Sequence, residues 1–234
     1  MTIAISIIIP TLNEAQVLGK TLASLRGNKN CEVIVVDGGS IDTTLSLAKE
    51  AGCRTFSSPR GRGRQMNRGA AEARGGILLF LHADTLLPDN FPQLVIDAVN
   101  RPGFAAGAFS LAIDSPAKSL AAIALLANLR CRLLRLPYGD QALFVTGGRF
   151  YATGGFPEIE IMEDYVFIQK IRKSGRIFIL PQPATTSARR WRNMGIVRTT
   201  IINQLIVIGH GLGVPPATLA KWYRRMRGVG KQPR

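Results

Sequence analysis

The chain has 234 residues, enough for one large α/β domain, and its 30 Lys and Arg against 15 Asp and Glu give a formal charge of +15 and a pI near 10.7. That balance points to anionic partners, whether phosphorylated small molecules, anionic lipid or nucleic acid; with aromatic residues at only 7%, the stacking rings that would favour nucleic acid are scarce, and none is expected. Cys31, Cys53 and Cys131 are odd in number and lack zinc or redox spacing, which suits a reducing cytoplasm, and no apolar run reaches the roughly 18 residues of a membrane span.

Residues 3–9 form an almost unbroken β-branched run closed by Pro10, with no basic leader before it, and read as a first strand and not a signal peptide. A second such run, 32–36, closes on Asp37, Gly38, Gly39 and Ser40. Each is followed by a helical pattern, with Leu18, Leu22 and Leu25 on one face of the first and Leu45, Ala48 and Ala51 apolar in the second. A short third strand at 53–56 leads into 59–69, PRGRGRQMNRG. A dinucleotide fingerprint would need a third glycine where Met66 stands, so this segment reads as a flexible loop whose arginines close over a diphosphate. Arg60 and Arg62 suit that role or a solvated basic loop equally, and Arg64, Gln65 and Asn67, which open the helix that continues through Ala70, Ala71 and Ala73, are the favoured donor contacts.

A fourth apolar strand ends at FLHADT, residues 80–85. Strands alternating with helices predict a doubly wound, mostly parallel sheet flanked by helices, in which ligands bind outside the carboxyl ends of the strands. Asn13, Asp37 and Asp84 would then line one crevice, and Asp84 becomes a candidate ligand for a divalent cation, or else the cap of a turn. Beyond it, 105–113 reads as a strand and Lys118–Leu134 as a mostly apolar helix carrying Arg130 and Arg132, with Arg135 just after. Asp140 and Gln141 sit in a turn before a strand at 142–146. Gly154, Gly155, Phe156 and Pro157 lead towards Glu163 and Asp164, which open a helix marked by Phe167, Ile168 and Ile171; acids in a first helical turn ordinarily complement the helix dipole.

Arg189, Arg190 and Trp191 follow, the arginines suited to clamping phosphate and the indole to stacking on a sugar. The tail carries two helical stripes, Val197, Ile201, Leu205 and Ile208, then Leu219, Trp222, Tyr223 and Met226. The second is flanked by Lys221, Arg224, Arg225 and Arg227; such helices either pack on their own core or lie on an anionic membrane.

Taken together, the segments IIIPTLNEA (7–15), VVDGGSIDTT (35–44), RGRQMNRGA (62–70), FLHADT (80–85) and MED (162–164) resemble the family 2 glycosyltransferases of the GT-A fold, over most of the chain. Within that family the chain looks most like a small bacterial subgroup named for arsenosugar biosynthesis. The resemblance implies one GT-A-like domain over 1–234, with a nucleotide-sugar half (1–103), an acceptor and catalytic half (104–188) and C-terminal amphipathic helices (189–234). It implies that Pro10, Thr11, Asn13, Glu14 and Asp37 hold the base and ribose of the donor, UDP by family frequency, with Gly38 and Ser40 shaping that loop. It further implies that Asp84, beside His82 and Ala83, coordinates Mg²⁺ or Mn²⁺ on the diphosphate. Asp164 becomes the catalytic base with Glu163 its neighbour, and Asp140, Gln141, Arg190 and Trp191 lie towards the acceptor. His82 departs from the commoner pattern, in which an acid stands two residues before the metal-binding one. A single base and no matching nucleophile predict inversion. The implied partners are a nucleotide-sugar donor and a small-molecule or lipid-linked acceptor, in the cytoplasm or on the inner face of the membrane. Two rivals remain: a nucleotidyltransferase using the same crevice, and a basic membrane- or nucleic-acid-binding protein without catalysis.

Overall fold

The opening β-branched run becomes β1 (Ile5–Thr11), whose Ile5, Ile7, Ile8 and Ile9 are fully buried, as a parallel strand covered on both faces requires. A computed structural model describes residues 3–226. The strand passes through Pro10, which pairs in register with Val36, and ends at Thr11. Helix α1 (Ala15–Ser24) buries Leu18 and Leu22, and β2 (Cys31–Asp37), α2 (Thr44–Glu50) and β3 (Arg54–Ser57) follow in the predicted alternation.

The basic segment after β3 departs from the reading as a loop. Helix α3 (Arg62–Ala71) begins directly after Gly61, so three of the four arginines at 60–68 are helical. Its glycines serve close packing and not flexibility: a Cβ on Gly69 would stand 2.4 Å from Cγ2 of Ile8, and one on Gly63 2.5 Å from the carbonyl of Pro157. Residue type alone makes those two uses of glycine look alike.

After β4 (Ile77–Phe80) come β5 (Thr85–Leu86), α4 (Phe91–Val99), β6 (Phe104–Asp114), α5 (Lys118–Leu134), a 3₁₀ turn at Gly139–Gln141, β7 (Leu143–Thr146), α6 (Gly147–Ala152), α7 (Glu163–Ile171) and β8 (Arg176–Ser187). The eight strands form one sheet in the order β3-β2-β1-β4-β7-β6-β8-β5. Its first four neighbours are parallel; β7 then runs antiparallel to β4 and β6, β6 and β8 are parallel, and β5 is antiparallel to β8. Doubly wound order therefore holds for the first half, and the second half is mixed. Alternating side chains feed two apolar layers. Ile7 and Ile9 pack with Leu18, Phe91 and Val95 on one side, and Ile8 with Met66, Phe150, Phe167 and Ile168 on the other.

The chain ends its described part in α8 (Arg189–Met194), α9 (Ile196–Gly211) and α10 (Pro216–Met226). In α9 the predicted stripe is the outer one: Val197, Ile201, Leu205 and Ile208 are 71%, 52%, 47% and 55% exposed, and Thr199, Ile202, Ile206 and Gly209 face inward. Both faces of α9 are apolar, so periodicity alone cannot choose between them. Ile202, Ile206 and Leu219 of α10 enclose Met162, with Tyr223 and Met226 packed alongside. Trp222 stays half exposed, and Arg227 lies outside the described residues. No described helix is long and apolar enough to cross a membrane.

Candidate active site

The loops that leave β1 and β2 are stitched into one lip. Asn13, in the left-handed region at φ 54°, donates its backbone N–H to Ser40 Oγ (2.8 Å), and its side chain accepts from the Ile41 N–H (2.9 Å). The Glu14 N–H donates to Thr44 Oγ1 (2.8 Å), and the Gly38 N–H to the Thr11 carbonyl (2.9 Å). Asp37 is buried and folds its own loop, accepting from the Gly39 and Ser40 N–H groups (2.9 and 2.8 Å) and from the hydroxyls of Ser40 and Thr11. A carboxylate with four donors holds the backbone of such a loop in one shape. Pro10, at the strand's last turn outward, is half-buried.

Several residues expected at the donor make internal ties. The Gln65 amide donates to the carbonyls of Thr11 and Val36 (2.8 Å each), closing the ends of β1 and β2 from α3. Asn67 clips the backbone of Phe156 through both its oxygen (2.9 Å) and its nitrogen (2.8 Å), and Arg64 pairs with Glu158 (3.0 Å) at the surface. Thr11 and Ala83 are buried, and the Ala83 carbonyl accepts from Thr21 Oγ1 (2.7 Å). Gln141 is buried between the Phe109 carbonyl (3.0 Å) and the Tyr138 N–H (3.1 Å), and Trp191 packs against Leu120 and Ala188. Gln65, Asn67 and Gln141 thus satisfy backbone groups that strand ends and turns leave unpaired.

What remains in the crevice is charged. Asp84 follows β4 by four residues and is held through its carbonyl, which accepts from the Ser187 N–H (3.0 Å); its carboxylate stays partly exposed, 3.9 Å from Arg189 Nη2. The same Arg189 nitrogen lies 2.6 Å from Glu14, so α8 bridges the loops after β1 and β4. Asp164, in the first turn of α7, accepts from the Gly139 N–H (2.6 Å) and from its own helix at Tyr165 N (2.7 Å). Met162 enters that turn at φ 71°, an uncommon backbone for a non-glycine residue. Glu163 is buried beside Arg62 (Nη1 3.8 Å). Burial and the charge of Asp164 hold Glu163 above the usual carboxylate range, against the pull of Arg62.

His82 and Asp164 converge on Gly139. A Cβ there would stand 3.0 Å from His82 Nε2 and 3.1 Å from Asp164 Oδ2, which is why the turn carries glycine. Burial, with the charges of Arg62 and Arg190, pushes the imidazole well below its ordinary range, so His82 is neutral near pH 7. Asp140 is raised by burial; Arg190 opposes the shift, Asp164 adds to it, and Arg130 and Arg62 oppose it. The crevice thus gathers Asp84, Asp140, Glu163, Asp164, Glu14 and His82 with Arg62, Arg189 and Arg190. Arg62 and Arg189, which the sequence offers as phosphate-binding arginines, also stand as counter-charges to Glu163, Glu14 and Asp84; the signal for that second role was that a cluster of acids requires counter-charges on adjoining elements.

Among the described residues no group of three or more His, Cys, Asp or Glu forms a ready metal cage. Asp84 supplies an accessible hard oxygen, which suits Mg²⁺ or Mn²⁺ completed by substrate phosphates and water.

A crevice of this composition at the strand ends of such a sheet defines a GT-A-like scaffold. The family model described as Glycosyl transferase family 2 matches residues 6–156, and the chain belongs to that family. Among curated proteins it is similar to glucosyl-3-phosphoglycerate synthase of Mycolicibacterium smegmatis, 30% identical over 155 residues that cover 55% of this chain and 51% of that protein. The chain thus spans about half the length of that relative. Its fold matches S. aureus TarS 1-349 in complex with UDP-GlcNAc, with a TM-score of 0.61 and 20% identity, covering 79% of this chain and 58% of that one. It also matches glucosyl-3-phosphoglycerate synthase from Mycobacterium tuberculosis in complex with Mn²⁺, UDP and phosphoglyceric acid, with a TM-score of 0.57 and 22% identity over 77% of this chain and 69% of that one.

Proposed function

We propose that the protein is an inverting glycosyltransferase that moves a sugar from a nucleoside-diphosphate donor, UDP-linked in the first instance, to an acceptor hydroxyl, with Asp164 as the base. The observation that carries this reading is the placing of Asp164. Its carboxylate is fixed by one backbone N–H from across the crevice and one from its own helix, leaving each oxygen a free lone pair for a hydroxyl proton. The stitched lip of 11–14 and 37–44 supplies a floor for the nucleoside, and the resemblance assigns it to base and ribose. Asp84 would hold Mg²⁺ or Mn²⁺ against the diphosphate, and the ion would supply charge neutralisation to the leaving group. Arg62, Arg189 and Arg190 surround the same space and stabilise negative charge as it gathers on the departing phosphate.

The acceptor hydroxyl attacks the anomeric carbon from the side opposite the diphosphate, Asp164 takes its proton, and the carbon–oxygen bond to phosphate breaks. One displacement inverts the anomeric centre. Neutral His82, beside the base, keeps a second charge away from the attacking oxygen. The acceptor is a small molecule, as the resemblance to the subgroup named for arsenosugar biosynthesis suggests, or a lipid-linked one; a divalent ion and UDP in the mycobacterial neighbour support the donor half of the reading.

Calorimetric titration with UDP, GDP and ADP, each with and without Mn²⁺, tests the donor site. Metal-dependent binding of one diphosphate by the native chain, lost in Asp84→Ala and kept in Asp164→Asn, is the expected pattern. Asp164→Asn should slow transfer by about 10²–10⁴-fold. Retained configuration in the product would remove Asp164 from its role.

A further inference from the structure

The charge of this chain is divided along its length. The first 164 residues hold all 15 acids with 16 Lys or Arg, and the last 70 hold 14 Lys or Arg and no acid. Residues 115–139, which include all of α5, are also free of acids and carry Lys118, Arg130, Arg132 and Arg135. Both stretches expose apolar side chains. Helix α5 buries Leu120, Ala124 and Cys131, and turns Leu125, Leu126, Leu129 and Leu133 outward at 68%, 65%, 52% and 72% exposure. At 100° per residue these four leucines fall on the side opposite the buried three, with Arg130 and Arg132 on the two flanks. Helix α9 adds the outward Val197, Ile201, Leu205 and Ile208.

The two helices meet near their N-terminal ends. Leu120 and Ile123 of α5 share a cluster with Trp191 of α8 and Ile196 of α9. Each also joins the crevice directly: α5 runs into the turn at Gly139–Gln141, and α9 follows the short helix that carries Arg189 and Arg190. Exposed apolar side chains in such number mark a surface that something covers.

We propose that the outward faces of α5 and α9 form a docking surface for an anionic lipid bilayer. A bilayer offers hydrocarbon for the leucines and isoleucines and negative headgroups for the surrounding arginines and lysines, and the surface presents no carboxylate to repel them. A second copy of the chain supplies the apolar half of that match and opposes the other half, because it would bring two acid-free, strongly cationic tails together. This inference goes beyond the sugar-transfer reading and does not depend on it.

Flotation of the full chain with phosphatidylcholine vesicles, with and without phosphatidylglycerol, tests the proposal. At about 0.1 M NaCl the protein should float with the anionic vesicles and stay behind with the neutral ones. The pairs Leu125→Glu with Leu129→Glu, and Ile201→Glu with Leu205→Glu, should each weaken binding by at least about tenfold, since each removes two exposed apolar anchors and adds two like charges to lipid. The milder pairs Leu125→Ser with Leu129→Ser and Ile201→Ser with Leu205→Ser should weaken it in the same order. Far-ultraviolet dichroism and urea unfolding of every variant report on folding, and UDP titration reports separately on the donor site. Absence of flotation, or flotation that all variants retain, overturns the proposal. So does a native dimer by light scattering that the variants convert to monomer, which would give the surface to a second copy.

Discussion

Three donors converge on Glu32 near the amino end of β2: Ser6 Oγ (2.6 Å), the Arg74 N–H (2.6 Å) and Arg54 Nη1 (2.7 Å). Burial resists ionisation of this carboxyl, but those hydrogen bonds outweigh it and hold it below its ordinary 4.5. Its contribution to stability is therefore complete above the ordinary range and is lost as pH falls through the lowered folded value. Glu32→Gln should cost about 1.5–3 kcal/mol near neutral pH, the range for hydrogen bonds to a charged group. In urea unfolding the gap between native and variant should narrow below pH 4.5; a gap that stays constant would mean that packing, and not charge, sets the cost. In the crevice, Gly139→Ala tests the convergence of His82 and Asp164. At 3.0 and 3.1 Å the new methyl would stand closer to both than ordinary van der Waals contact allows, so His82 and Asp164 must give by a few tenths of an ångström. Turnover should fall by about tenfold or more while UDP affinity is unchanged. Equal losses in both would assign the glycine a structural role only.

Helix α9 shows why some elements are legible in sequence and others only partly. Strands β1, β2 and β4 are short β-branched or apolar runs that end at polar loops, and one reading satisfies them. The bounds of α5 follow from an apolar run that ends before Pro137. By contrast α9 has apolar residues on both faces, and only contact with Met162 and Leu219 decides which side is inward. The start of α3 was hidden because glycine can signal a loop or a close approach. Likewise the motifs put Asp84, Asp164 and His82 at strand and helix ends, but could not tell that Gln65, Asn67, Gln141 and Trp191 turn inward, since that depends on which backbone groups each neighbouring element leaves unpaired. Ile206→Ala probes the inner face of α9. It should destabilise by about 2–4 kcal/mol in thermal unfolding, as a buried truncation does, and should lower turnover beyond that expected from stability because its cluster holds the residue before Glu163. Unchanged turnover in the folded variant would uncouple α9 from the site.

At the scale of the molecule, the sheet and its two apolar layers form a continuous core, and the C-terminal helices are fastened to it by two small clusters, one around Met162 and one around Trp191. A T-shaped contact of Tyr165 with His210 (5.4 Å) and the pairing of Arg224 with Glu160 (2.8 Å) add to the first. Elements held by few buried side chains open locally at lower free energy than the core. Met162 keeps a left-handed backbone of the kind that costs roughly 1–3 kcal/mol and persists only while its surroundings enforce it. Warming should therefore act on the turn that carries Asp164 as on a fuse. When α9 and α10 loosen, Met162 relaxes, and Asp164 leaves its seat while the strand ends still hold nucleotide. Sugar transfer would then disappear several degrees below the melting of the sheet, with UDP binding surviving in the interval. Coincident loss of transfer, UDP binding and far-ultraviolet dichroism would show instead that the turn is as durable as the core beneath it.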